Sequence, residues 1–531
     1  MLNLLLFSCA RVGAPNGGTR DSLAPKFLGS NIDTTRLNVS RTVKELRLDF
    51  DEYVMLKDFN KNFNVSPPIK KIKKVIPSNL ANKYVLIQWE DTLQANTTYN
   101  FNFGNAIVDN NESNPLPYFN FAFSTGDKID DLFVSGTVKD AMTLIKENQT
   151  AKDNKMVVGL YKAGENLDYK QKPDYITKVD EENYFELNFL PKGEFVIIAF
   201  DDENQNSVYD AGKEKVSFLK EKITLDSTSV RGLKLKLYPS KKVVKYKESK
   251  AINGGLLMTF EGNPETVDVK SLSEDLKDFK VTHAKRSDSV NIWFDAEKSN
   301  LGGTVSKQVK LSYFTPTISD TISVSYKAVK DEFKLSNEAG NLIAPENNFV
   351  INTSLPIENL NTSSWKLESD SIAQDFTAKI SEKNPFKILV NSSFKPTKKY
   401  VLTIPKETVS SYYSSNDKSF QFQFEIDKPE NYGSFTAVIK NKPTAKFWVE
   451  LTNEKGEILY SQFTNASEVS FKNLKPATYI ARIRVDNNGN GFWDEADFAQ
   501  NIAAEDVYIF EKEINVRPLW EIKEDWELIN H

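Results

Sequence analysis

Apolar and polar residues alternate along most of this chain. Tyr99-Asn-Phe101-Asn-Phe103, Phe119-Asn-Phe121-Ala-Phe123, Phe420-Gln-Phe422-Gln-Phe424 and Ser323-Val-Ser-Tyr326 turn every second side chain to one face, the period of a half-buried strand. Tyr84-Val-Leu-Ile-Gln-Trp89, Phe195-Val-Ile-Ile-Ala-Phe200 and Phe447-Trp-Val-Glu-Leu451 are more continuously apolar and read as more fully buried strands. Clusters of Asn, Asp, Gly and Pro interrupt these runs about every ten residues, a spacing that predicts β-sandwiches rather than barrels. A helical pattern occurs only in short patches such as Leu272-Ser-Glu-Asp-Leu-Lys-Asp278, which are expected in crossovers.

The pattern repeats. Leu93-Gln-Ala-Asn-Thr-Thr-Tyr99 and Phe119-x-Phe121-x-Phe123 return 301 residues later as Phe394-Lys-Pro-Thr-Lys-Lys-Tyr400 and Phe420-x-Phe422-x-Phe424. At an offset of 284, Asp202-x-Asn204-x-Asn206-x-x-Tyr209-Asp210 returns as Asp486-x-Asn488-x-Asn490-x-x-Trp493-Asp494, each preceded at the same distance by a leucine, Leu190 or Leu474. Repeats of this size argue for a modular scaffold. At 531 residues the chain exceeds one core, and modules of about 100 residues are the natural division. The expected division is a leader and tether over 1–24, then modules over 25–128, 129–245, 246–332, 333–430 and 431–531. The fold class is therefore all-β, with tandem sandwich modules in an elongated multi-domain chain.

Charge adds little to this picture. A net charge of −5 gives no global basic footprint, so nucleic acid is not an expected partner. The lysine runs at 69–74 and 241–247 read as guards on exposed strand edges. Seven Asp-Ser/Thr triplets, at Asp21, Asp33, Asp91, Asp226, Asp288, Asp320 and Asp370, resemble the O-glycosylation pattern of Bacteroidota and lend mild support to export.

One constellation has a ligand logic. An alternating Asp-x-Asn-x-Asn loop can turn successive side-chain oxygens toward one hard cation, and Ca²⁺ takes oxygen ligands of this kind. In the C-terminal copy the candidate ligands are Asp486, Asn488, Asn490, the Phe492 carbonyl, Asp494 and, at position twelve, Asp497. In the N-terminal copy they are Asp202, Asn204, Asn206, the Val208 carbonyl and Asp210, with Glu214 as the closing carboxylate. Such calcium would be structural. The same loops also read as polar hairpins whose Asn and Asp side chains cap their own backbone.

Catalytic chemistry lacks its usual parts. The two histidines are His283 and His531, and no G-x-S-x-G elbow, P-loop or G-x-G-x-x-G unit is present. The chain is expected to be non-enzymatic, with no small-molecule substrate. Most of the seven tryptophans are expected in sandwich cores, while Trp520 and Trp526, in the acidic tail Trp-Glu-Ile-Lys-Glu-Asp-Trp, are candidate anchors for a partner.

Family resemblance extends this reading. Leu6-Phe7-Ser8-Cys9, which ends an apolar run at the single cysteine, resembles the lipobox of bacterial lipoproteins, and 10–25 reads as a tether. Leu48-Asp-Phe-Asp-Glu-Tyr-Val54, Tyr99, Asn105-Ala-Ile-Val-Asp109 and Phe121-Ala-Phe-Ser-Thr-Gly126 resemble bacterial Ig-like domains. Val134-Ser-Gly-Thr-Val138 and the run from Phe185 to Phe195 are similar to the transthyretin-like, carboxypeptidase-regulatory sandwich. As a whole the chain resembles the Ig-like-domain outer-membrane lipoproteins of Bacteroidota. That resemblance implies an outer-membrane location on the extracellular face with a lipid anchor at Cys9. It also implies outer-membrane β-barrel proteins and other lipoproteins as partners, with the β-barrel assembly machinery as the specific complex. A glycan-binding or adhesin-type surface protein is the alternative.

Overall fold

The computed structural model describes residues 21–144, 155–164, 168–329, 332–338 and 340–528. The anchor expected at Cys9 lies outside the described residues. Strands dominate, and sheets pair face to face around separate hydrophobic cores. The architecture is all-β, as the alternation predicts. Leu272–Asp278, a helical pattern in sequence, forms a turn between the strands Asp268–Ser271 and Lys280–His283, held by buried Leu276.

The described residues of Met1–Lys139, Thr150–Asp210 and Val216–Leu237 form one compact unit. Its first sandwich sets the sheet Phe27–Ser30, Glu45–Leu56, Asn82–Trp89, Ile72–Ile76 against the sheet Asn64–Ser66, Thr98–Gly104, Phe119–Ser124. Alternation explains the core: Leu46, Leu48 and Phe50 from one sheet meet Tyr99, Phe101, Phe103, Phe121 and Phe123 from the other. Each such side chain stabilises the fold by about 1.5–3 kcal/mol relative to exposure. The second sandwich pairs Tyr184–Leu190, Leu132–Asp140 and Val230–Leu237 in one sheet, with Met156–Lys162 and Gly193–Asp201 central in the other. Its own core is built on Val134, Leu160, Phe185, Phe195 and Ile197.

The described residues of Asp140–Gln149, Ala211–Lys215 and Tyr238–His531 form the other unit. It holds three cores, around Leu256, Ile292 and Val309, around Phe349, Leu402 and Phe424, and around Phe435, Val449 and Ile483. Trp293 lies on a strand of the first of these three sandwiches, yet its side chain belongs to the core of the second and packs on Phe386.

The repeats seen in sequence recur as matching devices. The Gln94 N–H donates to the Tyr99 hydroxyl at 2.9 Å, and the Lys395 N–H to the Tyr400 hydroxyl at 2.8 Å. Both rings are buried and stack on Phe123 and Phe424. Phe189 and Asn473, again 284 residues apart, both adopt a left-handed backbone beside the buried Leu190 and Leu474.

Candidate functional site

The two Asp-x-Asn-x-Asn loops fold alike. In the C-terminal copy, buried Asp486 accepts the N–H of Asn490 at 3.0 Å on one oxygen and that of Gly491 at 3.0 Å on the other. Asn488 Oδ1 also accepts the Asn490 N–H, and Asn490 Oδ1 accepts the Phe492 N–H. The side-chain amides of Asn488 and Asn490 donate to Asp494 Oδ2. In the N-terminal copy, Asp202 accepts from Asn206 and Ser207, Asn204 from Asn206, and Asn206 from Val208, while the Asn204 amide donates to Asp210. Side chains therefore satisfy the backbone that a sharp turn leaves unpaired.

Both loops need two left-handed residues. The C-terminal copy supplies Gly489 and Gly491, with φ of 73° and 81°, whereas the N-terminal copy places Gln205 and Ser207 at 60° and 62°. A side chain in that region costs roughly 1–2 kcal/mol per residue, so the C-terminal loop is the less strained copy.

In the C-terminal loop the bracing carboxylate is not the one expected from its position in sequence. Asp497 accepts the Gln500 N–H at 3.2 Å and its backbone pairs with Ile502, so it caps its own turn. The carboxylate that braces the C-terminal loop is Glu505. It is buried, with one oxygen accepting from Asn487 at 2.7 Å and Asn488 at 3.2 Å and the other from Asp494 at 2.9 Å. Burial pushes the Glu505 carboxyl up despite these three donors. Glu214 is also buried, in the second compact unit, and its carbonyl accepts the Ser240 hydroxyl at 2.7 Å.

A basic hairpin tip of the third module meets the C-terminal loop. Arg286 lies 2.7 Å from Asp494 Oδ1 and 2.6 Å from Glu265, and its guanidinium sits over the Phe492 ring. Lys285 approaches the same ring. Burial works to raise the Asp494 carboxyl, but hydrogen bonds from Asn488, Asn490 and Arg286 outweigh it and hold it below the usual carboxylate value. On the other flank, Lys241 N–H donates to the Ala496 carbonyl and Ala496 N–H to Pro239. Ser240 Oγ accepts from Gly212, which stands at the position of Ala496 in the other repeat. Within this unit, three sequence-distant segments are fastened at one loop.

In kind, the donor set suits a hard cation. Asp486, Asn488, Asn490 and Asp494 offer side-chain oxygens and Phe492 a carbonyl. Among the described residues no group of three or more His, Cys, Asp or Glu side chains is placed to hold a metal. A cation here would thus depend on amide and carbonyl oxygens, beside an Asp494 already paired with Arg286.

Trp526 is not a surface anchor. Glu521–Glu527 is a strand lying parallel to Gly433–Lys440, and Trp526 points into the fifth core against Phe510. The alternation Ile522, Glu524, Trp526 was a strand pattern that the acidic charges obscured. Trp520, just before that strand, is 48% exposed and lies under the Arg517 guanidinium. His283 is half-buried on an edge strand, with Nε2 3.1 Å from the Ser287 carbonyl.

The first sandwich is the part of the chain with a family match: residues 21–125 match the bacterial Ig-like domain. No curated protein matches the chain. Among solved structures, the S-layer protein rSbsC(31-844) is 12% identical, with a TM-score of 0.14, covering 93% of this chain and 67% of that one. The Bacteroides ovatus mixed-linkage glucan utilization locus SGBP-B, in complex with a mixed-linkage heptasaccharide, is 9% identical, with a TM-score of 0.20, covering 73% and 94%. BcpA, the major pilin subunit of Bacillus cereus, is 11% identical, with a TM-score of 0.14, covering 75% and 99%. Likenesses this distant carry no argument about binding.

Proposed function

We propose that this chain is a non-enzymatic lipoprotein, tethered at Cys9 to the outer membrane and facing outward, that serves as a protein-binding scaffold. The observation that carries this reading is the fastening of modules to one another. Arg286 ties the third module to the fifth, although the fourth intervenes in sequence, and Trp293 plugs the fourth core from the third module. Joints of this kind fix several sandwich faces in one arrangement, which is what a docking platform needs and a string of independent domains does not. An outer-membrane β-barrel protein with its companion lipoproteins is the proposed partner, and the β-barrel assembly machinery is the specific form of that proposal. Replacing Cys9 with Ala should move the protein from the membrane to the soluble fraction, and deleting 431–531 should abolish its co-purification with a barrel partner. A Cys9→Ala protein that still sediments with membranes through its own contacts would remove the anchor.

Structural calcium in the loop from Asp486 to Asp494 belongs to the same proposal, with a dissociation constant of about 10⁻⁴–10⁻³ M. At a hundred times that constant the bound ion would add about 2.7 kcal/mol. Calorimetry of the full chain should show the fifth-module transition rising in calcium relative to chelator, and an Asp486→Ala variant should lose the increment. Identical melts would leave both loops as hydrogen-bonded turns.

A further inference from the structure

A cavity of about 100 Å³ lies where the third module meets the fourth, inside the second compact unit. Its floor is apolar, built from buried Trp293 and Phe294 of the third module and buried Leu355 of the fourth. Its rim is polar, with Asp295 on one side and Ser411, Tyr413 and Ser414 on the other. Asp295, Tyr413 and Ser414 are each partly exposed, so solvent reaches the cavity. An apolar floor with a few convergent polar groups is the usual build of a ligand pocket. Drug-sized ligands fill about 300–1,000 Å³, whereas an engineered cavity of about 150 Å³ takes benzene. This cavity therefore suits a single side chain or a molecule of that size.

The rim offers acceptors. The Tyr413 hydroxyl is already committed, donating to Asp278 Oδ1 at 3.1 Å. Burial, and after it the Asp278 bond and the charges of Asp278, Glu358 and Asp295, push that hydroxyl up to about 12, so its proton stays in place at neutral pH. Asp295 Oδ1 accepts the N–H groups of Glu297 and Lys298, both at 3.1 Å. Its Oδ2 faces the Lys298 ammonium, 3.5 Å away on a side chain 82% exposed, a pairing that contributes little. Ser411 is 9% exposed, and among the described residues its hydroxyl has no hydrogen-bond partner. A buried polar group left unpaired is costly, and one that lines a cavity can be paired by what enters. Among the described residues, no Lys or Arg lines the cavity, while three carboxylates surround its tyrosine.

We propose that this cavity binds a primary ammonium carried on a short alkyl stem. The stem covers Trp293, Phe294 and Leu355, and the ammonium donates to Asp295 Oδ2 and to the hydroxyls of Ser411 and Ser414 beside the Tyr413 ring. An ammonium has three donors and no acceptor, the complement of this rim, and it gains further from an aromatic face. An anion would meet the three carboxylates, and an uncharged alkyl group would leave Ser411 unpaired. A lysine side chain of a partner chain and a small free amine share this chemistry.

Hydrogen exchange of the full chain, in n-butylammonium chloride against sodium chloride of equal ionic strength, is the test. Amides in 291–296 and 409–416 should exchange about tenfold more slowly once the amine reaches about ten times its dissociation constant. n-Butanol, which carries the stem without the charge, should protect them far less. Asp295→Asn keeps the oxygen that accepts from Glu297 and Lys298 but loses the charge. It should need about tenfold more amine for the same protection. Nα-Acetyl-lysine N-methylamide separates the two sources. Protection at a lower concentration than butylammonium assigns a lysine of a protein chain, and protection by butylammonium alone assigns a free amine. Unchanged exchange in both segments overturns the proposal. So does equal protection by butanol, or an Asp295→Asn protein protected as well as its parent, either of which would make the cavity an apolar slot.

Discussion

Replacing Glu450 with alanine is expected to destabilise the fifth module by about 3–5 kcal/mol, the cost of removing one partner from a buried ion pair. Glu450 is fully buried, yet it projects from the face of its strand that points away from the module core, where Phe447, Val449 and Leu451 lie. One carboxylate oxygen accepts from Arg482 Nε and Nη2 at 2.9 and 2.7 Å, and Arg484 reaches both oxygens. The Arg482 side chain is itself only 8% exposed. Alanine at 450 would leave that guanidinium buried without a counter-charge. Hydrogen exchange of the amides in Phe447–Thr452 and Ala477–Val485 reads the loss directly, as exchange between about 100-fold and about 4,000-fold faster.

The second module holds the control for this prediction. At the positions of Glu450, Arg482 and Arg484 it has Gly159, Ile198 and Phe200, paired in the same register. An apolar face is therefore compatible with this sandwich. The triple substitution Glu450→Leu, Arg482→Ile and Arg484→Phe, which removes both guanidinium groups along with their acceptor, should recover most of the stability that Glu450→Ala loses, since well-packed apolar residues often replace a buried pair at no net cost. A triple variant as unstable as the single one would mean that the loss came from packing rather than from the stranded charges.

Replacing Glu505 with alanine is the second large effect. Three main-chain N–H groups, of Asn487, Asn488 and Asp494, lose their acceptor together. A buried donor left unpaired costs about 1–3 kcal/mol. The full sum is not expected, because burial of the Glu505 carboxylate already offsets part of what those bonds contribute, as its raised pKa records. A net loss of about 2–4 kcal/mol follows, and it should concentrate in faster exchange at 487–494. Glu505→Gln, which keeps one acceptor oxygen, should fall between. If Asp497→Ala were the more damaging substitution, the sequence position rather than the observed brace would govern the loop.

What could be read from the chain alone was whatever has a short period or a fixed offset. Two-residue alternation located Phe101, Phe121 and Phe123, and the offsets of 301 and 284 paired Tyr99 with Tyr400 and Asp202 with Asp486. Alternation is local, so a sequence window contains it, and a repeat needs only two local windows that match. Glu450, Arg286 and Glu505 act through partners between 11 and 208 residues away. The contacts of Glu450 with Arg482 and of Arg286 with Asp494 span more than any local window, and Glu505, though only 11 residues from Asp494, lies past the loop motif and carries no pattern of its own. Trp526 failed for a different reason. Its neighbours alternate in polarity as a strand should, but the density of acidic residues around it favoured a tail over an edge strand. Glu450, in a run read as apolar, carried one usable signal: a lone carboxylate between buried neighbours, opposite two arginines spaced two apart.

Affinity purification of the tagged full chain from mildly solubilised outer membranes is the most direct test of the scaffold reading. The expected result is stoichiometric recovery of a β-barrel protein with further lipoproteins, lost on deletion of 431–531 and unchanged by His283→Ala. Recovery of the chain with no partner under the same mild extraction would contradict that reading. Glycan binding abolished by a single exposed aromatic substitution, such as Trp520→Ala, would replace it with the surface glycan binder.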